Sequence, residues 1–128
     1  MRTSLALLML LVTLAVAARP SAHHDVTTVY DERSMMTIDA QLVSLALRNP
    51  HSFMQVTVRT PKKAEVRYEI EWNGADSLRR AGIVATTLHA GDRIILTGQP
   101  SRPLTAQRLR LTSLRRPKDG LVWAEPMS

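Results

Sequence analysis

Apolar and polar residues alternate with a period of two in several separate stretches of the chain. The alternation is clearest in "SFMQVTVRT" at 52–60 and "EVRYEIEW" at 65–72, and it returns in "DRIILTG" at 92–98 and "QRLRLTSL" at 107–114. A period of two is typical of a β-strand that buries one face and exposes the other. The pattern therefore predicts a strand in each stretch.

An earlier stretch, "MTIDAQLVSLALRNP" at 36–50, also alternates but changes phase midway. Ile38 and Leu42 lie on one face, whereas Val43 and Leu47 belong to the opposite phase. A slip of one residue inside a strand is what a β-bulge produces, and a bulge bends the strand. The sequence therefore predicts a long, bent first strand.

One segment between the third and fourth predicted strands departs from the β pattern. In "NGADSLRRAG" at 73–82, Asn73 is a candidate N-cap and Gly82 a candidate residue just past the C-cap, which together predict a short helix. Three strands, a short helix and two strands is the order of an OB-type barrel. We predict an all-β protein with one short helix, forming a small OB-like five-stranded barrel; an SH3-like barrel and an open sandwich are the alternatives.

The beginning of the chain resembles an export signal. Arg2 is followed by the apolar run "LALLMLLVTLAV" and then by several alanines. The run is too short to cross a hydrocarbon core of about 30 Å as a helix, and this combination is typical of a secretory signal peptide. We predict a Sec-type signal at 1–22 and a single domain at 23–128, in which 115–128 is either a loose tail or a short extra strand.

Composition limits the cellular location of the protein and the kinds of reaction and partner that can be expected of it. The chain has no cysteine, which excludes disulfides and a lipid-anchored cysteine after the signal, and its net charge is +6. No second apolar stretch approaches the length of a transmembrane segment, so we expect a periplasmic or secreted protein. Without a cysteine nucleophile or a G-x-S-x-G motif, we do not expect an enzyme. The few aromatic residues make nucleic acid an unfavoured partner.

Histidines supply the candidate chemistry. His23 and His24 follow the predicted signal directly, and His51 follows the predicted turn at Asn49 and Pro50. Imidazole and amine nitrogens suit copper, nickel and zinc, so these three histidines are candidate ligands for copper or zinc. Candidate carboxylate partners are Asp25 and Glu71. No spacing matches a known zinc motif, and histidines that are simply solvated are the alternative.

Four stretches of the sequence resemble a known family. They are "AHHDVTTVYD", "RNPHSFMQV", "EIEWNGADSLRRAG" and "LHAGDRIILTGQP", the last containing the pattern GD-x-V/I-x-V/L-x-G. The chain resembles small secreted bacterial proteins grouped as a domain of unknown function, whose mature parts begin with paired histidines and carry an "NPH" turn. The resemblance implies an OB-like barrel and processing after Ala22, although the local pattern around Ala15 to Ala17 favours an earlier cleavage, near Arg19.

The leading hypothesis is that the chain is an exported binding or accessory protein for a small ligand. Its most specific version is that the ligand is a copper-like metal ion bound through the N-terminal histidines. The alternative is a structural or envelope interaction module that docks a protein, lipid or glycan through strand edges or a basic face. The arginines that would build such a face are Arg79, Arg80, Arg108, Arg110, Arg115 and Arg116.

Overall fold

The computed structural model describes residues 29–127, which form six β-strands and one short α-helix. In chain order they are β1 (Met36–Ala46), β2 (His51–Arg59), β3 (Glu65–Asn73), α1 (Ala75–Arg80), β4 (Arg93–Pro100), β5 (Arg108–Arg116) and β6 (Leu121–Ala124). Within this range no helix has the length and apolar character needed to cross a bilayer.

Five of the strands close into a barrel. β1 pairs antiparallel with both β2 and β4, β2 pairs with β3, and β4 pairs with β5. A short parallel pairing between β3 and β5 closes the circle. The predicted fold, a small five-stranded barrel with one helix between the third and fourth strands, is confirmed. The sixth strand pairs with the second half of β5. It lies within 115–128, for which the sequence predicts either a loose tail or a short extra strand.

The barrel encloses a single apolar core. The inward residues of the strands and of α1 are fully or nearly fully buried. Trp123 on β6 packs edge-to-face against Trp72 on β3, with ring centroids 5.2 Å apart and planes at 81°. The short sixth strand therefore contributes an aromatic side chain to the core as well as extending the sheet.

The predicted bulge in β1 is present. Leu42 pairs with Val56, but the next pair joins Ser44 to Gln55, so Val43 is the extra residue. Leu42 is 2% exposed, whereas Val43 is 38% exposed. The bulge lets one strand serve neighbours on both sides, because β1 pairs with β4 before the bulge and continues along β2 after it.

The N-terminus of α1 is capped by a different residue from the one expected. Gly74, not Asn73, is the N-cap, and it has no side chain with which to cap. The Oδ1 of Asn49, in the turn before β2, instead accepts a hydrogen bond from the backbone N–H of Asp76 at 3.1 Å, and the carbonyl of Arg48 accepts one from Ala75 at 2.8 Å. The turn between β1 and β2 therefore caps the helix.

The helix α1 ends at Arg80 with Ala81 as its C-cap, and Gly82 is the residue just past the cap, as predicted. Gly82 has φ +83° and donates its N–H to the carbonyl of Arg79, while Ile83 donates to the carbonyl of Leu78. This pair of bonds is a Schellman motif, and the accompanying apolar contact is supplied by Leu78 and Ile83, which are both buried in the core.

One end of the barrel holds a buried cluster of charged side chains. Arg116 is only 8% exposed and donates to Asp92 Oδ2 at 2.7 Å and to Asp119, while Lys118 Nζ lies 2.8 Å from the other Asp92 oxygen. The hydrogen bond from Lys118, that from the backbone N–H of His89 and that from Arg116 hold the pKa of Asp92 far below its usual range. Arg116 therefore cannot belong to the exposed basic face that the sequence suggested.

Because Asp92 is buried against two cations, we expect Asp92→Asn to lower the free energy of unfolding by about 3 kcal/mol, since the cations then lose their counter-charge. The matched control is Asp39→Asn, which breaks an exposed pair with Arg93 and should cost less than about 1 kcal/mol. Urea denaturation of both variants tests this. If Asp92→Asn lowers the free energy of unfolding no more than Asp39→Asn does, the buried charge cluster does not stabilise this end of the barrel.

Candidate functional site

A cleft of about 250 Å³ lies where β2 begins, β3 ends and α1 starts. Its wall is formed by residues of β2, β3, α1 and β5, of the connections before β2 and α1, and of the segment after β6: Pro50, His51, Glu71, Trp72, Asn73, Gly74, Ser77, Arg110 and Glu125. Four parts of the chain that are distant in sequence therefore meet at this cleft, and it contains two of the predicted site residues.

The turn before β2 fixes the position of His51. Ser52 is fully buried, and its hydroxyl donates to the carbonyl of Arg48 at 3.2 Å and accepts from the backbone N–H of Arg48 at 3.1 Å. Gly74 packs so closely on the turn that a Cβ there would lie 2.6 Å from the carbonyl oxygen of Pro50. His51 thus begins its strand from a turn that is held on two sides.

His51 and Glu71 lie in close contact on the outside of the barrel. Glu71 faces outward because its neighbours Ile70 and Trp72 fill the core. His51 Nδ1 lies 3.1 Å from Glu71 Oε1, and the side chain of His51 is 49% exposed while that of Glu71 is 18% exposed. In a neutral imidazole that donates through Nδ1, the other ring nitrogen, Nε2, carries the free lone pair.

Tyr30 completes a chain of three side chains. Its hydroxyl donates to Glu71 Oε2 at 2.6 Å, and the residue is 2% exposed. A β-bridge to Ser101 and a hydrogen bond from the N–H of Asp31 to the carbonyl of Pro100 at 2.8 Å hold its backbone. Burial raises the pKa of the Tyr30 hydroxyl, and the bond to Glu71 raises it further, so the group stays protonated and remains a donor.

The arginines beside the cleft are paired with carboxylates. Arg108 bonds Glu69 through both Nε and Nη2, and Gln55 donates to the same carboxylate. Arg110 lies 3.9 Å from Glu125, each about one-third exposed. Because opposite charges alternate along this surface, the wall of the cleft is not a uniformly positive site for an anion.

The predicted site residues divide into two groups. His51 and Glu71 are brought into direct contact, whereas His23, His24 and Asp25, like the predicted signal at 1–22, lie outside the described residues. Within residues 29–127, no group of three or more His, Cys, Asp or Glu side chains is arranged to hold a metal ion. The described residues thus offer a histidine and its partner but not a complete metal site.

Sequence analysis missed the role of Tyr30. The hydroxyl and its acceptor on Glu71 are 41 residues apart, and no local motif links them. Tyr30 lies six residues after His24, in the same stretch as the paired histidines. That position was the available signal, because it places a buried anchor between a histidine-rich segment and the barrel.

The chain belongs to the family described as "Family of unknown function (DUF6152)", whose model matches residues 10–110. The predicted resemblance to a family of unknown function is therefore confirmed. The matched range contains Tyr30, His51 and Glu71, whereas Glu125 lies beyond it. No curated protein matches the chain significantly.

Tyr30→Phe removes the hydroxyl that donates to Glu71, and we expect it to lower the free energy of unfolding by about 2 kcal/mol, because hydrogen bonds to charged groups are stronger than neutral ones. The control is Tyr68→Phe on β3, a half-buried tyrosine whose hydroxyl bonds no carboxylate within residues 29–127; it should cost less than about 0.5 kcal/mol. Urea denaturation measures both. A loss no larger for Tyr30 than for Tyr68 would mean that the bond to Glu71 does not anchor the segment.

Proposed function

We propose that this chain is a small exported binding protein that holds a transition-metal ion, copper or zinc, in the cleft beside His51. Its nitrogen donors are His51 and the paired histidines His23 and His24. In this proposal residues 1–22 are a signal peptide that is removed, and the protein acts in the periplasm or outside the cell. It is not an enzyme, and its role is to bind the ion rather than to transform a substrate.

The observation that carries the proposal is the position of Glu71 between Tyr30, whose hydroxyl donates to it, and the imidazole of His51, whose Nδ1 lies 3.1 Å away. Histidines that bind metals almost always donate their second ring nitrogen to a carboxylate or carbonyl, which fixes the tautomer and the direction of the ligating nitrogen. His51 has a carboxylate in the corresponding position, since Glu71 Oε1 lies 3.1 Å from Nδ1, and Glu71 is itself held by the hydrogen bond from Tyr30.

The length of the chain supports a contribution from the paired histidines. Tyr30 is fixed at the barrel, and His23 precedes it by seven residues. Seven extended residues span at most about 25 Å, which is ample for a segment anchored on Glu71 to bring His23 or His24 to His51. Asp25 lies in the same segment and remains a candidate carboxylate partner.

The alternative function, docking of an envelope partner through a basic face, has weaker support. Of the arginines expected on that face, Arg116 is buried against Asp92 and Asp119, and Arg108 is engaged by Glu69. Arg79 pairs with Asp76 on α1. The positive charges are therefore largely neutralised where they stand, and the histidine cleft is the better-supported site.

The test is isothermal titration calorimetry, in which copper(II) or zinc(II) is titrated into protein purified after export and the affinity and the number of bound ions are measured. We expect one tightly bound ion per chain. His51→Ala should lower the affinity by more than about 100-fold, because removing a ligand costs more than the roughly 10–100-fold typical of removing a partner that only orients a ligand. The matched control is His89→Ala, since His89 is exposed in the loop before β4 and does not line the cleft.

Two results would contradict the proposal. One is the absence of stoichiometric binding of either ion to the exported protein. The other is an equal loss of affinity in the His51 and His89 variants, which would indicate adventitious binding to surface histidines.

A further inference from the structure

We infer that the open edge of β3 at residues 65–68 pairs with the same edge of a second copy of this chain. The two edges run antiparallel about a two-fold axis at Val66, so that the β2–β3 hairpins of both copies form one continuous sheet. The inference goes beyond the proposed function and is independent of it, because this edge and the histidine cleft lie at opposite ends of β3.

The β3 edge is open because β5 covers only part of the strand. On one side β2 pairs with β3 along its whole length, from Glu65 to Asn73. On the other side the pairing with β5 begins only at Glu69. Within residues 29–127, the stretch 65–68 therefore has a strand on one side only. Such an edge is a template on which another strand can pair.

The backbone of this stretch offers hydrogen-bonding groups in the right direction. The N–H of Glu69 donates to the carbonyl of Gln107 at 3.0 Å, and so points away from β2. In an antiparallel pair, residues whose N–H and C=O face the neighbour alternate with residues whose groups face away from it. The register of β2 with β3 has no slip, so Arg67 and Glu65 also face away from β2. Both residues are exposed, and a second strand can therefore reach their backbone.

The side chains of the same two residues carry opposite charges. Neither Glu65 nor Arg67 forms an ion pair with another of the described residues. A second copy that sets Val66 opposite Val66 places Glu65 of each copy directly opposite Arg67 of the other. Opposite charges that face each other across neighbouring strands stabilise the pairing, and like charges destabilise it. The edge is therefore complementary in charge to itself.

Other registers lose this complementarity. A shift of one residue sets groups that face the open edge against groups that already bond to β2, so only shifts of two residues keep the hydrogen bonds. A shift in one direction brings Arg67 opposite Arg67, and a shift in the other brings Glu65 opposite Glu65. Only the register centred on Val66 combines backbone hydrogen bonds with opposite charges.

The other face of the edge supplies apolar contacts. Val66 and Tyr68 are both half-buried, and they alternate with the two charged residues. At the two-fold axis the Val66 side chains of the two copies would lie with their Cβ atoms about 4.5–5.5 Å apart. Because the shared edge is short, its buried area is below that of stable dimers, and we expect a weak, reversible dimer.

Charge reversal tests the pairing, with self-association measured by sedimentation velocity over a range of protein concentrations. By symmetry, Arg67→Glu sets Glu opposite Glu twice, and Glu65→Arg sets Arg opposite Arg twice. Each change should weaken self-association by at least about tenfold, because like charges facing each other across an interface are strongly unfavourable. An equimolar mixture of the two variants should associate, since every Glu then faces an Arg. The variant with both changes should associate like the wild type.

The matched control is Arg115→Glu, which changes the net charge equally at an exposed position of β5 beyond the part that pairs with β3. It should associate like the wild type. Far-UV circular dichroism checks that each variant is folded, and the amide hydrogens of Glu65 and Arg67 should exchange more slowly as the wild-type concentration rises.

Three results would overturn the inference. The first is a wild-type protein that stays monomeric at every concentration, which would leave the edge to a different partner. The second is undiminished association of either single variant, which would place a dimer contact elsewhere. The third is a failure of the mixed variants to associate when the wild type does, which would exclude the register centred on Val66.

Discussion

The short parallel pairing of β3 with β5 is the constraint on which both the core and the candidate site depend. It joins Ile70 to Leu109, which are fully buried, and it sets Glu69 and Glu71 beside Arg108 and Arg110 on the outer surface. Because side chains alternate across a strand, burying Ile70 forces its two acidic neighbours outward. Closing the barrel and presenting Glu71 to the cleft are therefore consequences of the same pairing.

The carboxylate of Glu71 in turn joins parts of the chain that the barrel does not join. Tyr30 precedes β1, and His51 begins β2 after a turn that also caps α1. One carboxylate thus accepts a hydrogen bond from Tyr30 in the N-terminal segment and lies 3.1 Å from the imidazole on the strand that carries the candidate ligand. This arrangement links attachment of the segment to orientation of the histidine, which is why the site and the stability of the anchor are expected to respond to the same substitutions.

Much of the fold could be predicted from the sequence, because strands, bulges and helix ends each leave a pattern among residues that are neighbours in the chain. The period of two placed the strands, the phase slip at Val43 placed the bulge, and Gly82 marked the end of α1. The capping of α1 by Asn49 could not be predicted, since a nearer asparagine, Asn73, satisfied the same local rule. Only the packed turn decides between them.

The site was less predictable because its bonds join residues far apart in sequence. His51 and Glu71 were candidates for their chemistry alone, and their contact depends on the pairing of β2 with β3. Arg116 seemed to belong to a surface of arginines, yet it faces inward near the end of β5, after β5 gains an extra residue relative to β4 at Gly98. Such a slip reverses which side of a strand a residue faces.

The most direct test of the central claim is the tautomer of His51 in the metal-free protein, measured by nitrogen-15 NMR of the imidazole at a pH where the ring is neutral. Because Nδ1 lies 3.1 Å from Glu71, the account predicts that the proton resides on Nδ1 and that Nε2 is unprotonated and available to a metal. A proton found on Nε2 instead would mean that Glu71 does not orient the ring, and the cleft would then have no prepared donor.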